Sequence, residues 1–148
     1  MTIEKDGSWT YLGTPITRQR LAHLFSTVLR REEDGEFYLV TPVEKCRIVV
    51  KDAPFVAILL DEEGQGKDRT LRLTTNMAEE VTIDEQHPLR VEIDPATEEP
   101  SPYVVIRDGL EARLSRNVYY QLAELVDEES GVYGVWSAGT FFPIMSAT

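Results

Sequence analysis

The chain has 148 residues, with 15 basic and 26 acidic side chains, a net charge of −11 and 42% hydrophobic residues. That is room for one domain of common size, or two very small ones, around a real core. An acidic surface repels nucleic acid and anionic membranes. The one adjacent basic pair, Arg30-Arg31, is answered by Glu32, Glu33 and Asp34, so neither partner is expected.

The start "MTIEKDGSW" carries no apolar run, and the longest apolar stretch, Phe55–Leu60, is too short to cross a bilayer. A cytoplasmic protein is the expectation. In "TRQRLAHLFSTVLRREEDGEFYLV", Leu21, Leu24, Phe25, Val28 and Leu29 recur at helical spacing. Thr17 stands where a cap belongs, and Asp34-Gly35 ends the segment. Phe37, Leu39 and Val43 then alternate as in a strand. In "EKCRIVV", Cys46, Ile48 and Val50 share one face, and Lys45 and Arg47 the other. "APFVAILL" is apolar on both faces, which suits a central strand. "DEEGQGKD" reads as a hairpin tip. Leu71 and Leu73 point inward, Val81 and Ile83 form a short strand, and Leu89, Val91 and Ile93 alternate with Arg90, Glu92 and Asp94.

The three-proline stretch "PATEEPSP" is the strongest linker signal. Asp108-Gly109 then turns a hairpin. Ser115 occupies a second capping position, ahead of the stripe Val118, Leu122, Leu125 and Val126. Ser130-Gly131 stops that helix, and Tyr133, Val135 and Trp136 open a strand. "GTFFPIM" closes the chain as a strand that Pro143 places near an edge.

The two helical segments match in cap, stripe and turn at a spacing of about 97 residues, with Ile16 on Leu114 and Thr17 on Ser115. The expected fold is α+β: two pseudo-repeated helix-plus-antiparallel-sheet units, with two main helices and roughly eight to ten strands. The units span residues 1–84 and 85–148, or together form one compact domain.

Little here suggests chemistry. His23 lies opposite the apolar stripe, and His87 precedes Pro88 in a loop. Neither has a second ligand at metal spacing, so no metal or cofactor is expected. Cys46, the only cysteine, cannot form an internal disulfide and reads as a small buried hydrophobe. Ser137 reads as part of a turn. No nucleophile elbow or phosphate loop is present, and no catalytic residue is assigned. The acidic middle third suits a basic partner or simple solubility.

Two features invite a ligand. The helix starts Thr17-Arg18 and Ser115-Arg116 offer free N–H groups beside a cation, as an anion clamp or as ordinary caps. Tyr119, Tyr120, Trp136 and Phe142 near Arg113 and Arg116 suit an interface or a core edge.

The segments "VTPVEK", "DAPF", "TTN", "HPLRV", "PYVVIRDGLEARLSRNVYY" and "GVWSAGTFFPI" resemble a bacterial family of unknown function designated DUF1285, over nearly the whole chain. The resemblance implies a cytoplasmic α+β protein with a repeated unit and no established activity. It also suggests a part in signalling or regulation. In "VTPVEK", Thr41, Glu44 and Lys45 gather at a corner that holds a ligand or simply turns the chain.

The reading that results is a non-enzymatic ligand- or protein-binding regulatory module. Its candidate binding residues are Arg18, Thr41, Glu44, Lys45, His87, Arg113, Arg116, Tyr120 and Trp136, and its partner is a small molecule or a protein. The alternatives are a small enzyme with acid/base chemistry at His87, Glu44 or Glu111 in a cleft between the repeats, and an interaction protein that dimerises through an edge strand. Both monomer and homodimer stand.

Overall fold

The structure, a computed structural model, describes residues 1–146. The elements run β1 (Thr2–Ile3), β2 (Trp9–Tyr11), β3 (Thr14–Pro15), α1 (Gln19–Thr27), β4 (Leu29–Arg31), β5 (Phe37–Val40), β6 (Lys45–Val50), β7 (Phe55–Glu63), β8 (Thr70–Thr75), β9 (Glu80–Thr82), β10 (Leu89–Ile93), β11 (Pro100–Arg107), β12 (Leu110–Leu114), α2 (Arg116–Ala123), β13 (Asp127–Glu129), β14 (Val132–Ser137) and β15 (Thr140–Ser146). The class is α+β with two helices, as expected. Fifteen strands among the described residues exceed the roughly eight to ten read from the pattern. Six of them have only two or three residues, too short to show a period of two.

The strands form three sheets, ordered β3-β2-β1-β6-β5-β4, β10-β11-β12-β7-β8-β9 and β13-β14-β15. Each six-stranded sheet joins two antiparallel meanders through one parallel pair, β1 with β6 and β12 with β7. The sheets are therefore mixed, not antiparallel throughout. Read from the other edge, the second order is β9-β8-β7-β12-β11-β10, which reproduces the first strand for strand. The helices hold different places in that scheme. α1 links β3 to β4, whereas α2 follows β12 and leads into the third sheet. A duplication of helix-containing units is not confirmed by this arrangement. The middle sheet draws strands from both sides of residue 84.

A continuous apolar core runs from Ile3, Trp9, Leu29 and Ile48 in the first sheet, through Phe55, Leu71, Leu73 and Val104 in the middle one, to Val135 and Phe142 in the third. It meets α1 through two small side chains and the half-buried Phe25. Ala22 and Ser26 are buried, while Leu24 of the expected stripe is 59% exposed. The helix ends at Thr27, and Leu29 is buried instead as the first residue of β4. The sequence stripe thus spans a helix and a strand, and the helix turns Ala22 and Ser26 inward.

Two further expectations change. Cys46 is exposed, because β6 enters the core only in its second half, at Ile48 and Val50. In β7 a register shift between Ala57 and Leu59 interrupts the alternation. That irregularity leaves Ile58 and Leu59 exposed, although the whole run is apolar.

The sheets are tied together by few, specific bonds. Ser137, expected in a turn, is fully buried at the end of β14. Its hydroxyl accepts from Leu71 N at 2.9 Å and donates to Ile83 O at 2.6 Å, fastening the third sheet to β8 and to the residue after β9. Asn76 fastens the first sheet. Its Nδ2 donates to Gly7 O at 3.2 Å and its Oδ1 accepts from Val56 N at 3.2 Å. Gly7 has φ +87°, and a Cβ there would lie 2.7 Å from Asn76 Nδ2 and 2.8 Å from Val56 Cγ2. Glycine is required at this crossing for both reasons.

Candidate functional site

The β1–β2 turn, the start of α1 and the β8–β9 turn meet around a half-open cavity of about 570 Å³, within the range of small-molecule sites. Trp9 and Ile16 contribute apolar wall on one side and Met77 on another. Arg20 and His23 come from successive turns of α1, and Asp6 and Ser8 from the β1–β2 turn.

Several local causes set this geometry. Asp6 accepts from Ser8 N at 2.9 Å and Ser8 Oγ at 2.6 Å, which closes the turn. The same bonds hold the Asp6 carboxyl below its ordinary value, so it stays ionised. Trp9 is 2% exposed and its ring stacks on Phe25 of α1 at 6.0 Å. Its Nε1 is buried without a hydrogen-bond partner. At the start of α1 the expected cap fails. Arg18, not Thr17, is the N-cap residue; no side chain caps the helix, and its first turn holds no acid. α2 begins as its sequence suggests, with Ser115 Oγ accepting from Val118 N at 3.3 Å.

A second, smaller cavity of about 220 Å³ lies beside Arg31, Phe37, Asp52, Arg90, Tyr103 and Glu111. Its charges are spoken for. Asp52 accepts from Tyr103 Oη at 2.6 Å and pairs with Arg113 at 2.8 Å. Arg90 binds Glu111 through two nitrogens, at 2.8 and 2.9 Å, and also Glu92. Burial first, then the bond to Asp52, pushes the Tyr103 phenol up to about 12. This network joins the end of the first sheet to the middle sheet.

The residues singled out from sequence are scattered. Arg18 is exposed at the mouth of α1. Thr41 and Glu44 close the β5–β6 turn through backbone and hydroxyl bonds. Lys45 pairs with Glu32 at 2.8 Å and lies over the Tyr38 ring. His87 Nδ1 is 2.9 Å from Asp84 Oδ1. Arg113 belongs to the Asp52 network. Arg116 and Tyr120 are exposed on α2, and Trp136 packs on Phe141 under Lys67. None of the nine lines the larger cavity. Thr17 and His23, noted for other reasons, do. Trp9, Arg20 and Asn76 carried no sequence signal as a group, since only the packing of the first sheet on the middle one unites them.

Among the described residues no group of three or more His, Cys, Asp or Glu side chains is placed to hold a metal, and no helix is long and apolar enough to cross a membrane. The Cys46 thiol is raised by its bond to Glu44, which disfavours the thiolate.

Comparison with known proteins gives a family without an activity. The profile for the DUF1285 N-terminal domain matches residues 1–53 and that for the C-terminal domain matches residues 54–144; both are described as of unknown function. A DUF1285 family protein of Silicibacter pomeroyi DSS-3 is 49% identical, with a TM-score of 0.94 over 99% of this chain and 79% of that one. A second, from Shewanella baltica OS155, is 29% identical, with a TM-score of 0.62 over 85% and 91%. No curated protein matches. The 53/54 division falls between the first sheet and the middle one. The larger cavity, walled by the β1–β2 turn and α1 on one side and the β8–β9 turn on the other, lies where the two matched regions meet.

Proposed function

The chain belongs to the DUF1285 family, and from that premise we propose that it is a ligand-binding module whose site is the cleft between the first and middle sheets. One observation carries the reading: a cavity of about 570 Å³ walled by both matched regions. A ligand there touches α1, the β1–β2 turn and the β8–β9 turn at once. It therefore stabilises the contact between the two regions, which is how a binding module serves regulation.

Binding is favoured over turnover. Ser8, Asp6 and His23 line one cavity, but the Ser8 hydroxyl donates to Asp6, a carboxylate whose lowered pKa makes it a weak base, and not to the His23 imidazole. A nucleophile, its base and an orienting acid are therefore not in sequence.

A thermal-shift screen against small metabolites tests the proposal, run on the native chain and on Gln19→Trp, which places an indole in the cleft from an exposed position. A ligand at a hundred times its dissociation constant stabilises by about 2.7 kcal/mol. The expected result is a shift in the native chain that Gln19→Trp removes. Ligands that shift both proteins equally would move the site elsewhere.

A further inference from the structure

Independently of the cleft, we propose that the outward faces of the two helices are the two halves of one interface: α1 of one copy of this chain docks antiparallel on α2 of a second copy.

Each helix carries an apolar ridge that the rest of the chain leaves exposed. At about 100° per residue, Leu21 and Leu24 stand opposite the buried Ala22 and Ser26 of α1. Tyr120 stands opposite the buried Val118 and Leu122 of α2. Leu24 and Tyr120 are 59% and 58% exposed, so each helix turns a large apolar side chain straight into water. The charges beside the ridges have opposite signs. Between Asp6 and Glu32 the chain has four arginines and no acid; after Arg116 it has four acids and no basic residue. Arg30 and Arg31 bond backbone carbonyls, which leaves Arg18 and Arg20 at the start of α1. Neither enters an ion pair among the described residues, and neither do the four acids at and beyond the end of α2.

Each set also has the wrong sign for its own helix. Arg18 is the N-cap of α1 and Arg20 lies in its first turn, at the positive end of the dipole, with no acid there to offset them. Glu124 is the C-cap of α2, at the negative end, with no basic residue in the last turn. α1 has nine residues and α2 eight, so the two match end to end when laid side by side. The antiparallel direction sets Arg18 and Arg20 against Glu124 and the acidic β13, Arg116 against the carbonyl end of α1, and the leucines against Tyr120. The parallel direction would set like dipole ends together. Charges that oppose their own helix turn favourable only beside the other one. A second copy brings both halves, and an isologous pair makes the contact twice.

Sedimentation velocity over a range of protein concentrations tests the contact, on the native chain, Arg18→Glu, Glu124→Arg, their equimolar mixture and the double variant. Arg18 lies outside the cavity, so the cleft is left as it is. The native chain should associate with rising concentration, and each single reversal should weaken association about tenfold or more. The mixture and the double variant should restore it, because each again sets opposite charges face to face. Both single reversals put a charge where its own helix favours it, so at dilution they should melt no lower than the native chain, and lost association is not lost folding. A native chain that stays monomeric at every concentration overturns the proposal. So does association that survives both reversals, or that the mixture and the double variant fail to restore. A monomeric chain that binds phosphatidylserine vesicles, and loses them with Arg18→Glu, would give the α1 face to a membrane instead and overturn the contact between copies.

Discussion

The middle sheet has two neighbours, and it meets them differently. Against the third sheet, one buried hydroxyl on Ser137 satisfies a backbone donor and a backbone acceptor at once. Against the first sheet, the ties stand apart from one another: Asn76 on Gly7, Tyr103 and Arg113 on Asp52, and Arg107 on Ser26 O at 2.9 Å. Here a cavity remains and a tryptophan donor is left without a partner. The contrast teaches how a small fold divides its labour. Each junction keeps one buried nitrogen unbonded, Arg69 Nε beside the third sheet and Trp9 Nε1 beside the first, and the closely packed junction serves stability. The junction that also encloses a space serves recognition.

The sharpest way to break this contrast is Ser137→Ala. It strands Leu71 N–H and Ile83 C=O in the core, and an unsatisfied buried group costs about 1–3 kcal/mol. We expect a loss of about 3 kcal/mol, a fall in melting temperature of roughly 6–12 °C for a chain of this size. Calorimetry showing a smaller cost than for Gly7→Ala would reverse the ranking of the two junctions. Gly7→Ala itself should cost about 2 kcal/mol, from a left-handed backbone and a clash with the twice-bonded Asn76 side chain.

Tyr103→Phe probes the far anchor of the open junction. It removes the hydroxyl from Asp52 but leaves Arg113 in place, so about 1.5 kcal/mol is expected at neutral pH. The pH dependence has a definite sign. The folded phenol titrates at about 12 instead of the ordinary 10.0. Its contribution is therefore whole below pH 10 and is lost as pH rises from about 10 to 12. Denaturant titrations across that window should show a decline in the native chain that Tyr103→Phe lacks.

The smallest effects compare the two helix starts. Ser115→Ala should cost about 1 kcal/mol, because a bonded cap is lost. Thr17→Ala should stay within about 0.5 kcal/mol of the native chain, as for surface substitutions generally. Urea midpoints measure both, and equal costs would mean that α1 is capped after all.

Local pattern made much of this legible. Both helices, the hairpin at Asp108-Gly109, the alternation in β8 and the Ser115 cap follow from contacts a few residues apart, whereas β10 alternates only through Val91 and leaves Ile93, expected inward, 51% exposed. The errors arose where packing overrode pattern. Leu21, Leu24 and Leu29 share a helical period, yet Leu29 belongs to β4 and Leu24 faces solvent. Cys46 shares a face with Ile48, yet lies beyond the edge of the core. Thr17 and Ser115 look alike in sequence and act differently in the fold.

The sequence by itself determined the class, the helices, the longer hairpins and membership of the family. Those rest on periodicity, turn chemistry and short phrases, all readable within a window of the chain. Tertiary structure alone decided which polar groups found partners. Trp9, Arg20 and Asn76 come from a strand, a helix and a turn, and whether an indole N–H meets an acceptor depends on what distant segments bring to it. The candidate site is the space those distant segments leave between them.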